Sequence, residues 1–209
     1  MAEFSDPRVK IIERTSPYRG YFRVDRYRLC HRRFDGGWSG EMSRECFERG
    51  HAAAVLPYDP VRDAVVLVEQ FRIGAFAAGM DPWLIEIVAG IIEPGESAHE
   101  VARREAMEEA GCRVEALIPI AKVLVSPGVM SETVQLFCGR TDSAGLGGYH
   151  GVADEHEDIR AFVVPADEAL AYLAAGRIVN ATALIALQWL ALNRPRLRRD
   201  WPNADDGAS

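Results

Sequence analysis

Residues 90–111 constrain this chain more than any other stretch. An apolar run, 83–89, leads through the turn Glu93-Pro94-Gly95-Glu96 into Ser97-Ala98-His99-Glu100. Adjacent Pro and Gly favour a tight turn, and Ser with Glu three residues later is the capping-box pattern, so a helix is expected to start near Ser97. Gly111 supplies its stop, because a residue without Cβ enters the left-handed conformation that closes helices. On that helix Glu105, Glu108 and Glu109 stand at i, i+3 and i+4, so their carboxylates project from nearly one face. Taken alone, three acids at this spacing describe a solvated face laced with Glu–Arg pairs more often than a site. Arg104 lies about 100° round the helix from Glu105, and is expected to pair with Glu100 or Glu108 rather than neutralise the cluster. A hard divalent cation would neutralise it. Carboxylate donors with no thiolate or paired imidazole nearby suit Mg2+, with Mn2+ as the alternative, far better than Zn2+ or copper.

The flanking pattern is that of a mixed α/β protein. Apolar runs at 51–56 and 64–69 are separated by Tyr58-Asp59-Pro60, and 121–125, 133–138 and 159–164 read as further strands. About twenty residues with several glycines join the last two, a length that is often functional or mobile. Two helices close the chain, 166–175 stopped by Gly176 and 181–193 stopped before Pro195. Before all of these, residues 10–48 read as short antiparallel strands around the hairpin turn Asp35-Gly36-Gly37. That segment is small for an independent core and is expected to pack on the rest or on a second subunit.

Spacing sharpens the meaning of the acidic helix. Gly90, five residues, Glu96, seven residues, then Arg104-Glu105-Ala106-Met107-Glu108-Glu109-Ala110-Gly111-Cys112 match the Nudix box at every Gly, Glu and Arg position. The sequence thereby resembles the Nudix hydrolase family, with Ala106 and Cys112 where that family usually carries bulky aliphatic residues. Both are small and apolar, a difference that bears on helix packing more than on chemistry. Ser126-Pro127-Gly128 places a proline sixteen residues after Gly111, the spacing that marks the ADP-ribose pyrophosphatase group, and this resemblance extends over about residues 21–192.

The resemblance implies an α/β/α sandwich with a mixed sheet, preceded by a small N-terminal antiparallel β unit. It implies a division into 1–49, for dimerisation and substrate contacts, 50–195, the hydrolase domain, and a tail, 196–209. Metal ligands are expected from Glu105 and Glu109, with Glu108 as a third candidate, from Glu157, and from the backbone carbonyl of Ala89. In the acidic stretch Asp154-Glu155-His156-Glu157-Asp158, Glu155 is the expected base that activates water, with Glu157 as the alternative. Substrate contacts are expected from Arg72, Ile91, Ser126, Gly128 and Glu132, and from Tyr21, Phe22, Arg44, Glu45 and Arg49 of the first unit. For the aromatics, core packing is the plainer reading. The chemistry is coherent: a diphosphate resists an anionic nucleophile, a divalent ion offsets that charge and acidifies water, and a carboxylate removes the proton. The expected reaction is hydrolysis of ADP-ribose to AMP and ribose 5-phosphate.

Charge and cysteine usage narrow the alternatives. A net charge of −7 provides no basic footprint for nucleic acid or an anionic membrane. Cys30, Cys46, Cys112 and Cys138 form no C-x-x-C pair, so neither a zinc site nor a redox pair is signalled. Free thiols, and an N-terminus without a basic segment followed by an apolar stretch, lead to the expectation of a cytoplasmic protein, and the resemblance implies a homodimer acting on a small nucleoside diphosphate. Two other readings stand beside this one: a Nudix hydrolase of another nucleotide sugar or dinucleotide, and a non-catalytic ADP-ribose sensor, for which damage to the box is expected.

Overall fold

A computed structural model describes residues 5–152 and 156–201. The chain divides into two compact units, Met1–Gly50 with Leu124–Thr133, and His51–Val123 with Val134–Ser209.

The first unit is a three-stranded antiparallel sheet, β1 (Val9–Arg19), β2 (Arg23–His31) and β3 (Met42–Glu48), in the order β1-β2-β3. The expected turn at Asp35-Gly36-Gly37 lies between β2 and β3, where Arg32 and Trp38 form a bridge. Among the described residues of 5–50 only Asp25 is buried. Its carboxylate accepts from Ser16 Oγ at 2.6 Å and Arg14 Nη2 at 2.6 Å, and pairs with Arg23 at 2.9 Å. Burial pushes this carboxyl up, but those three donors outweigh it and hold it at about 2.

The second unit is built on a mixed sheet in the order β10-β11-β5-β4-β9-β8, with β6 on β5 and β7 on β4. Its strands are β4 (Ala52–Asp59), β5 (Ala64–Phe71), β6 (Trp83–Glu86), β7 (Val88–Ile91), β8 (Ala116–Leu124), β9 (Thr133–Arg140), β10 (Gly148–His150) and β11 (Ile159–Pro165). β4 and β9 run parallel and the other registered pairs are antiparallel. All eight residues of β4 are buried, which explains why residues 52–56 are continuously apolar: both faces of the strand are covered. Alternation then sorts neighbours. Ala53, Val55, Val66 and Val68 pack with Val101, Ala102, Ala106 and Ala110 of helix α2 (Ala98–Ala110). Ala54, Leu56, Val65 and Leu67 pack with Ala166 and Ala169 of α3 (Ala166–Ala174) and with Ala183, Leu187 and Leu190 of α4 (Ala181–Asp200). Helices on both faces of one sheet make the expected α/β/α sandwich. Ala106 and Cys112, the two departures from the box, are fully buried in the α2 layer.

Several boundaries differ from the sequence reading, each for a physical reason. The run 83–89 is not one strand. β4 and β5 pair with each other only at Tyr58↔Val65 and Asp59↔Ala64, so they diverge beyond that point. β6 follows β5 and β7 follows β4 into the gap, and the chain changes partner at Ile87. The long connection before β11 contains β10, whose three residues are too few to show a strand period. A five-residue helix, α1 (Ile73–Ala77), buries no side chain and so leaves no apolar pattern to read.

The last helix is not stopped before Pro195; it continues to Asp200, so 196–200 is helical rather than tail. An interior proline costs about 3 kcal/mol. The C-terminal turns are held from outside: Leu197 is buried, Arg194 pairs with Asp63 and Asp167, and Arg198 reaches Asp63 at 3.1 Å. Residues 202–209, the remainder of the expected tail, lie outside the described residues.

Asp59 locks the turn between β4 and β5. Its carboxylate accepts from the backbone of Val61 and Arg62, each at 2.9 Å, and from the backbone and hydroxyl of Ser143 at 2.9 and 2.7 Å. Burial raises its pKa, but these donors and the Arg62 guanidinium outweigh it and bring the group from its ordinary 3.8 to about 2. A depressed carboxylate stabilises the fold above the unfolded pKa, and that contribution is lost as pH falls from about 4 toward 2. Asp59→Asn is therefore expected to destabilise by about 2 kcal/mol at neutral pH, with the gap to wild type closing below pH 4. Urea titrations of both proteins at pH 7 and pH 3 check this, and an equal gap at both values would contradict it.

Candidate active site

The helix that carries the acids forms as its sequence dictates. Ser97 Oγ accepts from Glu100 N while Glu100 Oε2 accepts from Ser97 N at 2.8 Å, a complete capping box. Gly111 ends the helix at φ 58°, in the left-handed region. Val101, Ala102, Ala106 and Ala110 fix one side of α2 against the sheet, which turns Glu105 and Glu109 toward the strand segment 86–91.

Glu109 is the most buried of the acids, at 4% exposed. Its Oε2 accepts from Ala89 N at 3.1 Å, and its Oε1 lies 3.5 Å from Gln70 Nε2. Burial pushes its carboxyl up to about 8, and the neighbouring charges of Glu105 and Glu157 push the same way. Burial also raises Glu105, with Glu108 and Glu157 adding to the shift against the lowering effect of Arg104. Three carboxylates, Glu105, Glu109 and Glu157, thus act on one another electrostatically.

Glycine at position 90 is required by this packing. A Cβ there would fall 1.8 Å from Glu105 Oε1 and 2.1 Å from Cδ, so the bare backbone of β7 is what lets the Glu105 carboxylate lie against it.

Arg104 pairs with Glu108 as expected, and it also reaches two further acids. Its guanidinium reaches Glu96 at 3.0 Å, Glu105 at 2.8 Å and Glu108 at 2.9 Å, whereas Glu100 is taken by the capping box. The angular offset on the helix held for the backbone, but a long side chain spans it and touches the cluster after all. Arg104 is in turn raised above its usual range, first by its bond to Glu96.

Among the described residues no three His, Cys, Asp or Glu side chains converge closely enough as they stand to hold a metal ion. The donor chemistry nevertheless fits a hard divalent cation. The acids are oxygen donors, and Glu105 and Glu109 are partly or largely removed from water and further destabilised as anions by neighbouring carboxylates. Arg104, bound to Glu105, and Arg72, which acts on Glu109, are positive charges that now answer them.

The other expected site residues divide between the two units. In the second unit, Arg72 follows β5 and its Nε and Nη2 bind the buried Glu86 at 2.9 and 2.7 Å. Ile91 ends β7 opposite Ala52. Glu157 accepts from Val152 N at 3.3 Å. Glu155 lies outside the described residues.

In the first unit Tyr21 is 88% exposed and stacks edge-on with Phe22, which meets Phe47 at 5.0 Å. Arg49 lies over Phe22 and pairs with the buried Glu132 at 3.4 Å, and its Nε has no hydrogen-bond partner among the described residues. Ser126 accepts through its carbonyl from Val129 and Met130 in the turn that carries Gly128. Arg44 bonds the carbonyl of Ser43 and Glu45 pairs with Arg26, so these two engage their own sheet rather than the Arg49–Glu132 pair.

Sequence reasoning missed Gln70 and Glu86. Both left a faint signal, since each is a polar residue at or near the end of a mainly apolar run.

The family model of the NUDIX domain matches residues 48–185. The chain belongs to the Nudix family. It is 51% identical over 193 residues to the ADP-ribose pyrophosphatase of Escherichia coli (strain K12), covering 92% of each chain. It is 43% identical over 201 residues to the ADP-ribose pyrophosphatase of Haemophilus influenzae, covering 95% of this chain and 93% of the other. A GDP-mannose pyrophosphatase of Cronobacter sakazakii is 38% identical over 151 residues, 71% of this chain and 78% of the other. Among solved structures, the crystal structure of an ADP compounds hydrolase superposes with a TM-score of 0.68 at 21% identity, covering 95% of this chain and 98% of that one, a likeness of fold. For this Nudix protein no helix among the described residues is long and apolar enough to cross a membrane.

Proposed function

We propose that this Nudix protein hydrolyses the diphosphate of ADP-ribose, giving AMP and ribose 5-phosphate, with Mg2+ as the cation and Mn2+ as its substitute. The observation that carries the reading is a pair of carboxylates largely kept from water against β7, Glu105 lying on the bare backbone of Gly90 and Glu109 on the Ala89 N–H. Similarity to ADP-ribose pyrophosphatases over 92% of the chain supports the choice of substrate. An intact Glu105, Glu108 and Glu109 favours an enzyme over a sensor. The GDP-mannose relatives make another nucleotide sugar the second reading.

Glu105, Glu109, Glu157 and the Ala89 carbonyl would hold the cation, with Glu108 as a further ligand. When bound, it supplies charge neutralisation at the diphosphate. Glu109 is oriented for this by the Ala89 N–H, which leaves its other oxygen toward Gln70. Arg72 places the diphosphate with a guanidinium whose fork matches phosphate oxygens. Glu155 takes one proton from the attacking water as its oxygen bonds to one phosphorus, and the bond from that phosphorus to the bridging oxygen breaks. The leaving phosphate keeps the electron pair. Tyr21, Phe22, Arg44, Glu45 and Arg49, with Ile91, Ser126, Gly128 and Glu132, are proposed as substrate contacts, in a cytoplasmic homodimer.

Separate Glu155→Gln and Glu157→Gln variants test the division of labour. Glu155→Gln is expected to lower kcat by about 1,000-fold with Mg2+ affinity intact, as removal of a general base should. Glu157→Gln is expected to weaken Mg2+ affinity, read by calorimetric titration. Equal losses of affinity in both would overturn the assignment, and release of products other than AMP and ribose 5-phosphate would overturn the reaction.

A further inference from the structure

We infer that Glu86 and Asn180 are positioning residues for Arg72: they fix the arginine's orientation from beneath, and through it the grip on the diphosphate. The inference rests on the proposed role of Arg72.

Glu86 ends β6 and is buried, yet it belongs to no metal cluster and faces no water. An ionised carboxylate in such a place must have both oxygens answered. One oxygen, Oε2, accepts from Arg72 Nε at 2.9 Å and Nη2 at 2.7 Å. The other, Oε1, accepts from Asn180 Nδ2 at 2.7 Å. Asn180 is itself anchored, because its Oδ1 caps α4 by accepting from Thr182 N at 3.0 Å and Ala183 N at 3.1 Å. The result is a chain, α4 N-terminus to Asn180 to Glu86 to Arg72, in which each group's position is set by the one behind it.

Its far end is open. The Arg72 side chain is 42% exposed, and Nη1 makes no bond to protein among the described residues. Arg72 also lies near enough to the acids to lower Glu109's pKa. A guanidinium held along one edge and free along the other loses little rotamer freedom when it meets an anion, which is the benefit of preorganisation. A buried carboxylate whose only task was stability would be a poor choice, since well-packed apolar residues often serve as well.

The test is a set of double-mutant cycles in the full chain. Glu86→Gln keeps the shape and removes the charge; Asn180→Ser keeps a helix cap and removes the donor to Glu86. With ADP-ribose, Glu86→Gln is expected to raise KM about tenfold and Asn180→Ser about threefold, with smaller changes in kcat. In an Arg72→Ala background each is expected to add less than about twofold, because groups that act through one partner lose their effect once it is gone. Full additivity would overturn the inference, since a merely structural role survives the loss of Arg72.

A second reading does not depend on turnover. The Arg72 Nε–H signal, assigned in 15N spectra by its loss in Arg72→Ala, is expected to shift in both Glu86→Gln and Asn180→Ser. An unmoved signal would overturn the inference even if the enzyme is active. An unchanged KM in Arg72→Ala alone would instead overturn the diphosphate role of Arg72, and the shifted signal would still uphold the positioning chain.

Discussion

Glu109→Gln is expected to lower kcat by about 1,000-fold or more while making the cation-free protein more stable. The two effects share one cause. Glu109 is an almost fully buried carboxylate, and burial with Glu105 and Glu157 nearby pushes it up to about 8. A group whose folded pKa is raised leaves stability fully present below the unfolded value, 4.5, and withdraws it as pH rises through about 8. In EDTA the wild type should therefore lose stability between about pH 5 and pH 9. The Gln variant, with no charge to bury, should stay level and at pH 9 melt higher by about 4 °C or more. Gln can still accept from Ala89 N, so the local geometry should survive. Melting curves and single-turnover rates check the pair of effects. Loss of both activity and stability would mean that the carboxylate serves the fold rather than the chemistry.

Gly90→Ala is the second large effect, and its signature is also a split. The added Cβ would meet Glu105 at 1.8 to 2.4 Å, and its three nearest atoms all belong to the outer part of that one side chain. A glutamate tip can swing aside at small cost, whereas its displaced carboxylate can no longer serve the site. Turnover is expected to fall by about 100-fold, with Tm within about 3 °C of wild type and Mg2+ affinity reduced. A drop in Tm of 10 °C or more, about what a core defect of a few kcal/mol produces, would mean that the backbone rather than the side chain had moved.

The acidic helix was legible because its signals are local. A capping box, three acids within one turn and a terminal glycine act over a few residues, and the structure reproduces them at Ser97 and Gly111. The strands β4 and β5 were equally legible, since burial on both faces leaves the unbroken apolar runs 52–56 and 64–68. What escaped depends on partners distant in sequence. The break at Ile87 exists because β4 and β5 diverge, and nothing within 83–89 records that. Passage of α4 through Pro195 depends on Asp63, more than 130 residues away, which holds Arg194 from outside the helix.

The same rule applies to the site. Glu105, Glu108 and Glu109 could be named from spacing, but their surroundings could not. Gln70 against Glu109, and Asn180 behind Glu86, are contacts across 39 and 94 residues. Arg104 pairs with Glu108 as its spacing implies, but its contact with Glu105 escaped because a rotation about the helix axis describes where a side chain starts and not how far it reaches. Arg49 and Glu132, named separately from the sequence, do meet in the first unit. Glu155 falls outside the described residues, so its role stands on resemblance alone.

The central claim is tested most directly by kcat/KM for ADP-ribose against ADP-glucose, GDP-mannose, NADH and diadenosine polyphosphates, each with Mg2+ and with EDTA. The account predicts that ADP-ribose leads by about tenfold or more, that the products are AMP and ribose 5-phosphate, and that EDTA abolishes turnover. A lead for GDP-mannose or another member of the set would keep the chemistry and contradict the substrate. Tight binding of ADP-ribose without turnover would contradict the enzyme itself and identify a sensor.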